Sequence, residues 1–183
     1  MPDIHLMRHA HYVGHRPGYH APDDAELSTE GRHDTIAMVQ QIPAVVGIVS
    51  SPLRRAFQTA ELLAEHSGAP LLGVLPDLRE WRSPTAVRGI SPEEFPADYI
   101  AWRGKRLVDP TARYGDGESL TELGGRAARV RSRLITLAGS QGPVLVVAHK
   151  ILLRVMTVPD APTTAFDPEV RDHWGFLGGC VLT

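Results

Sequence analysis

Apolar positions along the chain follow two rhythms. Short apolar or β-branched runs at Ile4 to Met7, Gly47 to Ser51, Pro70 to Leu75 and Val144 to Ala148 read as strands, each bounded by turn residues. Between them the spacing turns helical. Ser28 to Ile42 puts Ile36, Val39 and Ile42 on one face, and a helix from about Leu53 to Gly68 repeats Phe57, Ala60, Leu63 and Ala64. A longer stripe of Leu120, Leu123, Ala127, Val130, Leu134 and Leu137 opens on the capping pair Ser119 and Glu122 and ends before Gly139. Ser91-Pro92-Glu93-Glu94 carries the same capping signal and predicts another helix start in a turn-rich segment.

Val144 to Ala148 is apolar throughout, which suits a central strand covered on both faces. Together with the alternation of strands and helices, it predicts an α/β fold: a three-layer α/β/α sandwich with a mainly parallel central sheet. Ligands of such sheets bind beyond the carboxyl ends of the strands.

Composition narrows the function classes. The 183 residues are 43% hydrophobic and 22% charged, with no repeat, low-complexity segment or long linker, so one domain spanning 1–183 is expected. A net charge of -2 and a pI near 6.5 give no global basic field for nucleic acid or an anionic membrane, so any anion site must be local. The basic residues are 17 arginines and only Lys105 and Lys150, a tilt that a biased genome also produces. Cys180 has no partner for an internal disulfide, and Met1-Pro2-Asp3 does not begin a secretion signal, which together favour a cytoplasmic protein. The longest uncharged apolar run is far short of the ~20 residues that span a bilayer.

Three predicted strand ends carry suggestive chemistry: Arg8-His9, Ser51-Pro52-Leu53-Arg54 and His149-Lys150. If all three face one crevice, two arginines and two imidazoles can hold a phosphate monoester without a metal. A neutral imidazole can also attack phosphorus, while a carboxylic acid protonates the departing alkoxide. Glu80, after the third strand, is the candidate acid, with Asp77 and Glu118 as rivals. His9 and His149 are equally plausible nucleophiles on spacing alone.

These residues resemble the histidine phosphatase superfamily, the phosphoglycerate-mutase-like family, in one consistent order. Leu6-Met7-Arg8-His9-Ala10 is similar to its opening Arg-His-Gly signature, and Leu27-Ser28-Thr29-Glu30-Gly31-Arg32 to its Leu-Thr-x-x-Gly segment. The stretch Ser50 to Ala60 resembles its second-strand motif, Leu78-Arg79-Glu80 its acid segment, Gly117-Glu118-Ser119 a Gly-Glu-Ser element of the mutase-like branch, and Val146-Val147-Ala148-His149 its second-histidine strand. The resemblance implies a phosphatase acting through a phosphohistidine on His9, with Arg8, Arg54 and His149 holding the phosphoryl group and Glu80 as acid and then base. It implies no metal or other cofactor, and a small phosphorylated metabolite as substrate. Residues 83–117 would form a lid that selects it.

Several positions depart from the family pattern. Ala10 stands where a glycine is usual, Lys150 where a small residue is, His15 where mutase-like members commonly carry asparagine, and Arg82-Ser83-Pro84-Thr85 where a glycine-rich stretch follows the acid. Two alternatives stay open: a cofactor-dependent phosphoglycerate mutase, disfavoured because 183 residues leave little room for segments that shield a phosphohistidine, and a phospho-ligand-binding protein with weak catalysis. A metal reading of His5, His9, His11, His15 and His20 is weaker, since only Asp23 and Asp24 lie near to complete a site. Arg126, Arg129, Arg131 and Arg133 are expected on a solvated helix face, and Trp81 and Trp102 in packing.

Overall fold

The computed structural model describes residues 3–158, 162–166 and 174–182. Strands β1 (Ile4–Arg8), β2 (Gly47–Ser50), β3 (Leu71–Val74), β4 (Val144–Ala148) and β5 (Gly179–Leu182) form one sheet in the order β3-β2-β4-β1-β5. The first four are parallel, and β5 pairs antiparallel with β1.

Helices α1 (Thr29–Met38) and α2 (Arg54–Ser67) cover one face; α3 (Ala97–Val108), α4 (Leu120–Gln141) and α5 (Lys150–Thr157) lie on the other. The period-2 geometry of β4 divides the core accordingly. Val144, Val146 and Ala148 pack with the α4 residues Leu123, Ala127, Val130 and Leu134, whereas Leu145 and Val147 pack with the α2 residues Ala56, Ala60 and Leu63. This is the three-layer α/β/α sandwich expected from the alternation. Among the described residues, no helix is long and apolar enough to cross a membrane.

Several elements differ from expectation for identifiable reasons. Helix α1 ends at Met38, and its buried positions are Gly31 and Thr35, not Ile36, which is 42% exposed. The Ser91 capping box forms, but it closes only a 3₁₀ turn over Pro92–Glu94; Pro96 forces Phe95 into an extended conformation, and the helix restarts at Ala97. Strand β5 left no alternating pattern because Gly179, Cys180 and Val181 are all exposed at the sheet edge.

Gly31 explains the Leu-Ser-x-x-Gly segment. Ser28 caps α1 by accepting the Gly31 N–H, while its own N–H donates to the His11 carbonyl, which sits against the Gly31 Cα. A Cβ at 31 would drive into that carbonyl oxygen. Gly31→Ala should therefore destabilise the fold by about 1 to 3 kcal/mol in urea unfolding. Gly139→Ala, inside α4 with open space around it, should instead stabilise by up to about 1 kcal/mol; equal effects of the two would refute this account of Gly31.

Candidate active site

Parallel pairing of β1, β4 and β2 brings three strand ends to one edge. The His9 N–H donates to the Ala148 carbonyl (3.0 Å) and the Ser51 N–H to the Val147 carbonyl (3.0 Å), so His9, His149 and Ser51 succeed one another across the crevice. The His9 and His149 rings lie 5.0 Å apart, and both are buried.

The two imidazoles are not equivalent. His9 Nδ1 lies 2.8 Å from the Ala10 carbonyl oxygen, which can only accept, so Nδ1 carries the hydrogen and Nε2 keeps its lone pair. Arg55 Nε donates to that Nε2 at 3.2 Å. His149 Nε2 shares a hydrogen bond with Ser51 Oγ (2.8 Å), and its Nδ1 is buried without a hydrogen-bond partner among the described residues. His149 is fully buried and not part of the cavity wall, so this orphan nitrogen is open only to a ligand that reaches it past His9. Burial first, then the positive charge of Arg55, hold both imidazoles well below the ordinary histidine pKa, so both are neutral near pH 7.

Around them lies a cavity of about 1080 Å³. Among the described residues its wall carries ten basic side chains against five carboxylates, although the whole chain has a net charge of -2. Arg8 donates from Nη1 to the Trp174 carbonyl (2.8 Å) and lies 4.1 Å from the Phe176 ring centroid. Arg55 is buried, ties Nη1 to the Pro22 carbonyl (2.8 Å) and lines the cavity.

Glu80 reaches the same cavity and is held by three backbone donors: Trp81 N–H (2.9 Å) and Leu152 N–H (3.1 Å) on Oε1, and Ile151 N–H (3.2 Å) on Oε2. Its carboxylate thus caps the first turn of α5. The rival Glu118 is occupied otherwise, clamped by Arg126 Nε (2.8 Å) and Nη2 (2.7 Å) and by the Arg82 N–H (3.2 Å). Asp77 pairs with Arg129 at 3.4 Å.

A model of the histidine phosphatase superfamily (branch 1) matches residues 4–159. The chain belongs to that superfamily. A glucosyl-3-phosphoglycerate phosphatase of Mycolicibacterium vanbaalenii is 31% identical over 85% of this chain and 69% of its own. A probable phosphoglycerate mutase of Yersinia pestis is 28% identical over 80% of this chain and 69% of its own. Among solved structures, the native mycobacterial glucosyl-3-phosphoglycerate phosphatase superposes with a TM-score of 0.71 at 27% identity, covering 88% of this chain and 83% of that one.

In this histidine phosphatase superfamily member the structure brings Arg8, His9, Glu80 and His149 together, but not Arg54. The Arg54 guanidinium is half exposed, pairs with Glu26 at 2.6 Å and does not line the cavity; its neighbour Arg55 takes the inward place. The reason is helical phase. Both residues open α2, where consecutive side chains point about 100° apart, and only 55 shares the buried face of Ala56, Thr59 and Leu63.

Ala10 carries no strain, since Leu177 is the only described non-glycine residue with a positive φ. The Ala10 N–H donates to Thr59 Oγ1 at 3.1 Å, and its methyl group is buried. Lys150 and His15 both line the cavity. Arg126 departs from the expected solvated face: it is a partly buried strap that also donates to the Asp77 and Arg79 carbonyls, and Arg131 likewise donates to the Met156 carbonyl. Among the described residues, no three of His, Cys, Asp and Glu converge as metal donors. Phe176, packed on His9, His11 and His15, had no signal in the sequence.

Neutral buried histidines couple stability to pH. The unfolded chain takes up protons below about pH 6.5 that the folded imidazoles refuse, so their contribution is complete above that value and declines as pH falls. The cost is about 1.4 kcal/mol per pH unit for each such histidine. Urea midpoints should hold from pH 8 to 7 and fall steadily from pH 6.5 to 5; a constant midpoint across that lower range would show the imidazoles to be solvated.

Proposed function

We propose that the protein is a metal-independent phosphatase that hydrolyses phosphate monoesters, with a small phosphorylated metabolite as substrate, through a phosphohistidine on His9. The observation that carries this reading is the His9 tautomer. A neutral imidazole with Nδ1–H fixed on a carbonyl keeps its Nε2 lone pair, which accepts from Arg55 Nε at 3.2 Å and becomes the nucleophile when that guanidinium turns to the incoming phosphoryl group.

In the first step that lone pair attacks phosphorus, a P–N bond forms and the P–O ester bond breaks, and the leaving alkoxide takes a proton from Glu80. In the second, water attacks the phosphohistidine, Glu80 recovers a proton from it, and the P–N electrons return to Nε2 as inorganic phosphate departs. Arg8, Arg55 and the unpartnered Nδ1 of His149 bind the equatorial phosphoryl oxygens, whose charge they offset in a partly desolvated site. Arg54 has no part in this scheme. Segment 83–117, which contributes Ser83, Arg88, Arg103 and Asp116 to the wall, serves as the substrate-selecting cover.

A mutase reading rests on the name shared by seven Yersinia relatives. It makes a separate expectation: transfer between the 2- and 3-positions of phosphoglycerate faster than hydrolysis.

His9→Ala should abolish p-nitrophenyl phosphate turnover and phosphoenzyme formation with chelator present throughout; a residual rate above a few per cent would remove His9 as nucleophile. Arg55→Ala should lower kcat by about 10²–10³, while Arg54→Ala changes it less than about threefold; the reverse order would restore Arg54. Glu80→Gln should slow alkyl esters at least about tenfold more than the nitrophenyl ester, whose leaving group needs less proton help. Equal losses on both would move the acid elsewhere.

A further inference from the structure

A turn near the end of the chain reaches into the cavity from a segment that the phosphatase scheme leaves unused. It runs from Gly175 to Gly178 and is closed by the Gly178 N–H on the Gly175 carbonyl (2.9 Å). Leu177, third in the turn, has a φ of 59°, a left-handed conformation in which glycine or asparagine is usual and a Cβ is crowded. The surroundings hold it there. The Leu177 side chain is buried in the core that Met7 and Ala10 share, its N–H donates to the Arg8 carbonyl (3.1 Å), and the Arg8 N–H donates to the Gly178 carbonyl (2.9 Å).

The residue this turn delivers to the cavity is Phe176. Arg8 Cζ lies over its ring, 4.1 Å from the centroid, while Arg8 Nη1 donates to the Trp174 carbonyl (2.8 Å), so one segment holds the guanidinium by a face and by an edge. Across the site Arg55 Cζ stands 5.4 Å from the centroid of the Tyr12 ring. Both rings also abut His9, Phe176 at 5.8 Å and Tyr12 at 5.7 Å between centroids. Each arginine of the proposed phosphoryl site thus rests on an aromatic ring beside the nucleophile. A ring face attracts a guanidinium and covers one side of it from water, which leaves its donor edges to meet an oxyanion.

We infer that Phe176 is a positioning residue: its ring, aimed by the left-handed turn at Leu177, holds the Arg8 guanidinium at the angle from which its edge meets a phosphoryl group. This rests on the phosphatase reading for the role of Arg8. Filling space would need only an apolar side chain, whereas a platform for a guanidinium needs an aromatic face.

Calorimetric binding of inorganic phosphate and turnover of p-nitrophenyl phosphate, both on the full chain, separate the two roles. F176L stays apolar but has no π face, and F176Y and F176W keep the face; F176M takes the place of F176L if circular dichroism shows that protein unfolded. F176L should weaken phosphate binding by about fivefold or more, with at least one aromatic variant within about threefold of the wild type. Its kcat/KM should fall by about tenfold. In an R8Q background the loss caused by F176L should nearly vanish, because the ring acts through Arg8. Unchanged phosphate affinity in F176L, an equal loss in F176L and both aromatic variants, or a loss that persists in full beside R8Q would overturn the role of Phe176 and leave the phosphatase reading intact. The expected binding pattern in a protein that turns over no ester would sustain Phe176 and sink the phosphatase reading, and a wild type that binds no phosphate would overturn both.

Discussion

Everything at the strand ends is arranged to keep one imidazole buried, neutral and correctly protonated. His9 cannot afford a second proton among Arg8 and Arg55, and it cannot turn, because its Nδ1–H is spent on the Ala10 carbonyl 2.8 Å away. That carbonyl is placed by the Ala10 N–H on Thr59, and Thr59 in turn donates to the Arg55 carbonyl at 2.8 Å. The hydroxyl that locates the histidine therefore also locates the arginine. The same logic runs outward through His11, whose carbonyl accepts from Ser28 and leaves no room for a side chain at position 31.

A second set of restraints serves the carboxylates. Arg126 holds Glu118 with two donors and takes the Asp77 and Arg79 carbonyls with a third, so the turn carrying Glu80 is strapped to α4. Glu80 closes the loop by capping α5, the helix that follows His149. The acid candidate and the second histidine are thus connected through one helix terminus. Breaking the partly buried Arg126–Glu118 pair would leave a stranded charge beside the site, a change felt as geometry as well as stability.

How much of this was legible in the sequence depended on whether a signal was local. Strands β1, β2 and β4 and helices α2 and α4 announced themselves through periodicity, because each buries an apolar stripe or a whole strand. Arg8, His9 and His149 were legible as candidates because motif order places them at strand ends, and Glu80 because its motif follows the third strand. The choice between Arg54 and Arg55 was not available, since two adjacent arginines differ only in helical phase, and phase depends on where α2 begins. Arg126 looked like one of four exposed cations; only the tertiary approach of Glu118 buries it. Spacing left His9 and His149 open as nucleophiles; the preference for His9 came from the family resemblance, and its Nδ1 contact with the Ala10 carbonyl is compatible with that role.

The pairing of Arg8 with the far end of the chain has a consequence for how the protein comes into being. Its backbone bonds to Leu177 and Gly178, and its guanidinium bonds to the Trp174 carbonyl, 166 positions away. Contacts of such separation close late, after the loop entropy of nearly the whole chain has been overcome. A nascent polypeptide emerging from the ribosome can lay down β1 early, yet the cavity beside it lacks a wall until residue 178 has been made. Synthesis itself therefore delays the moment at which the site is complete.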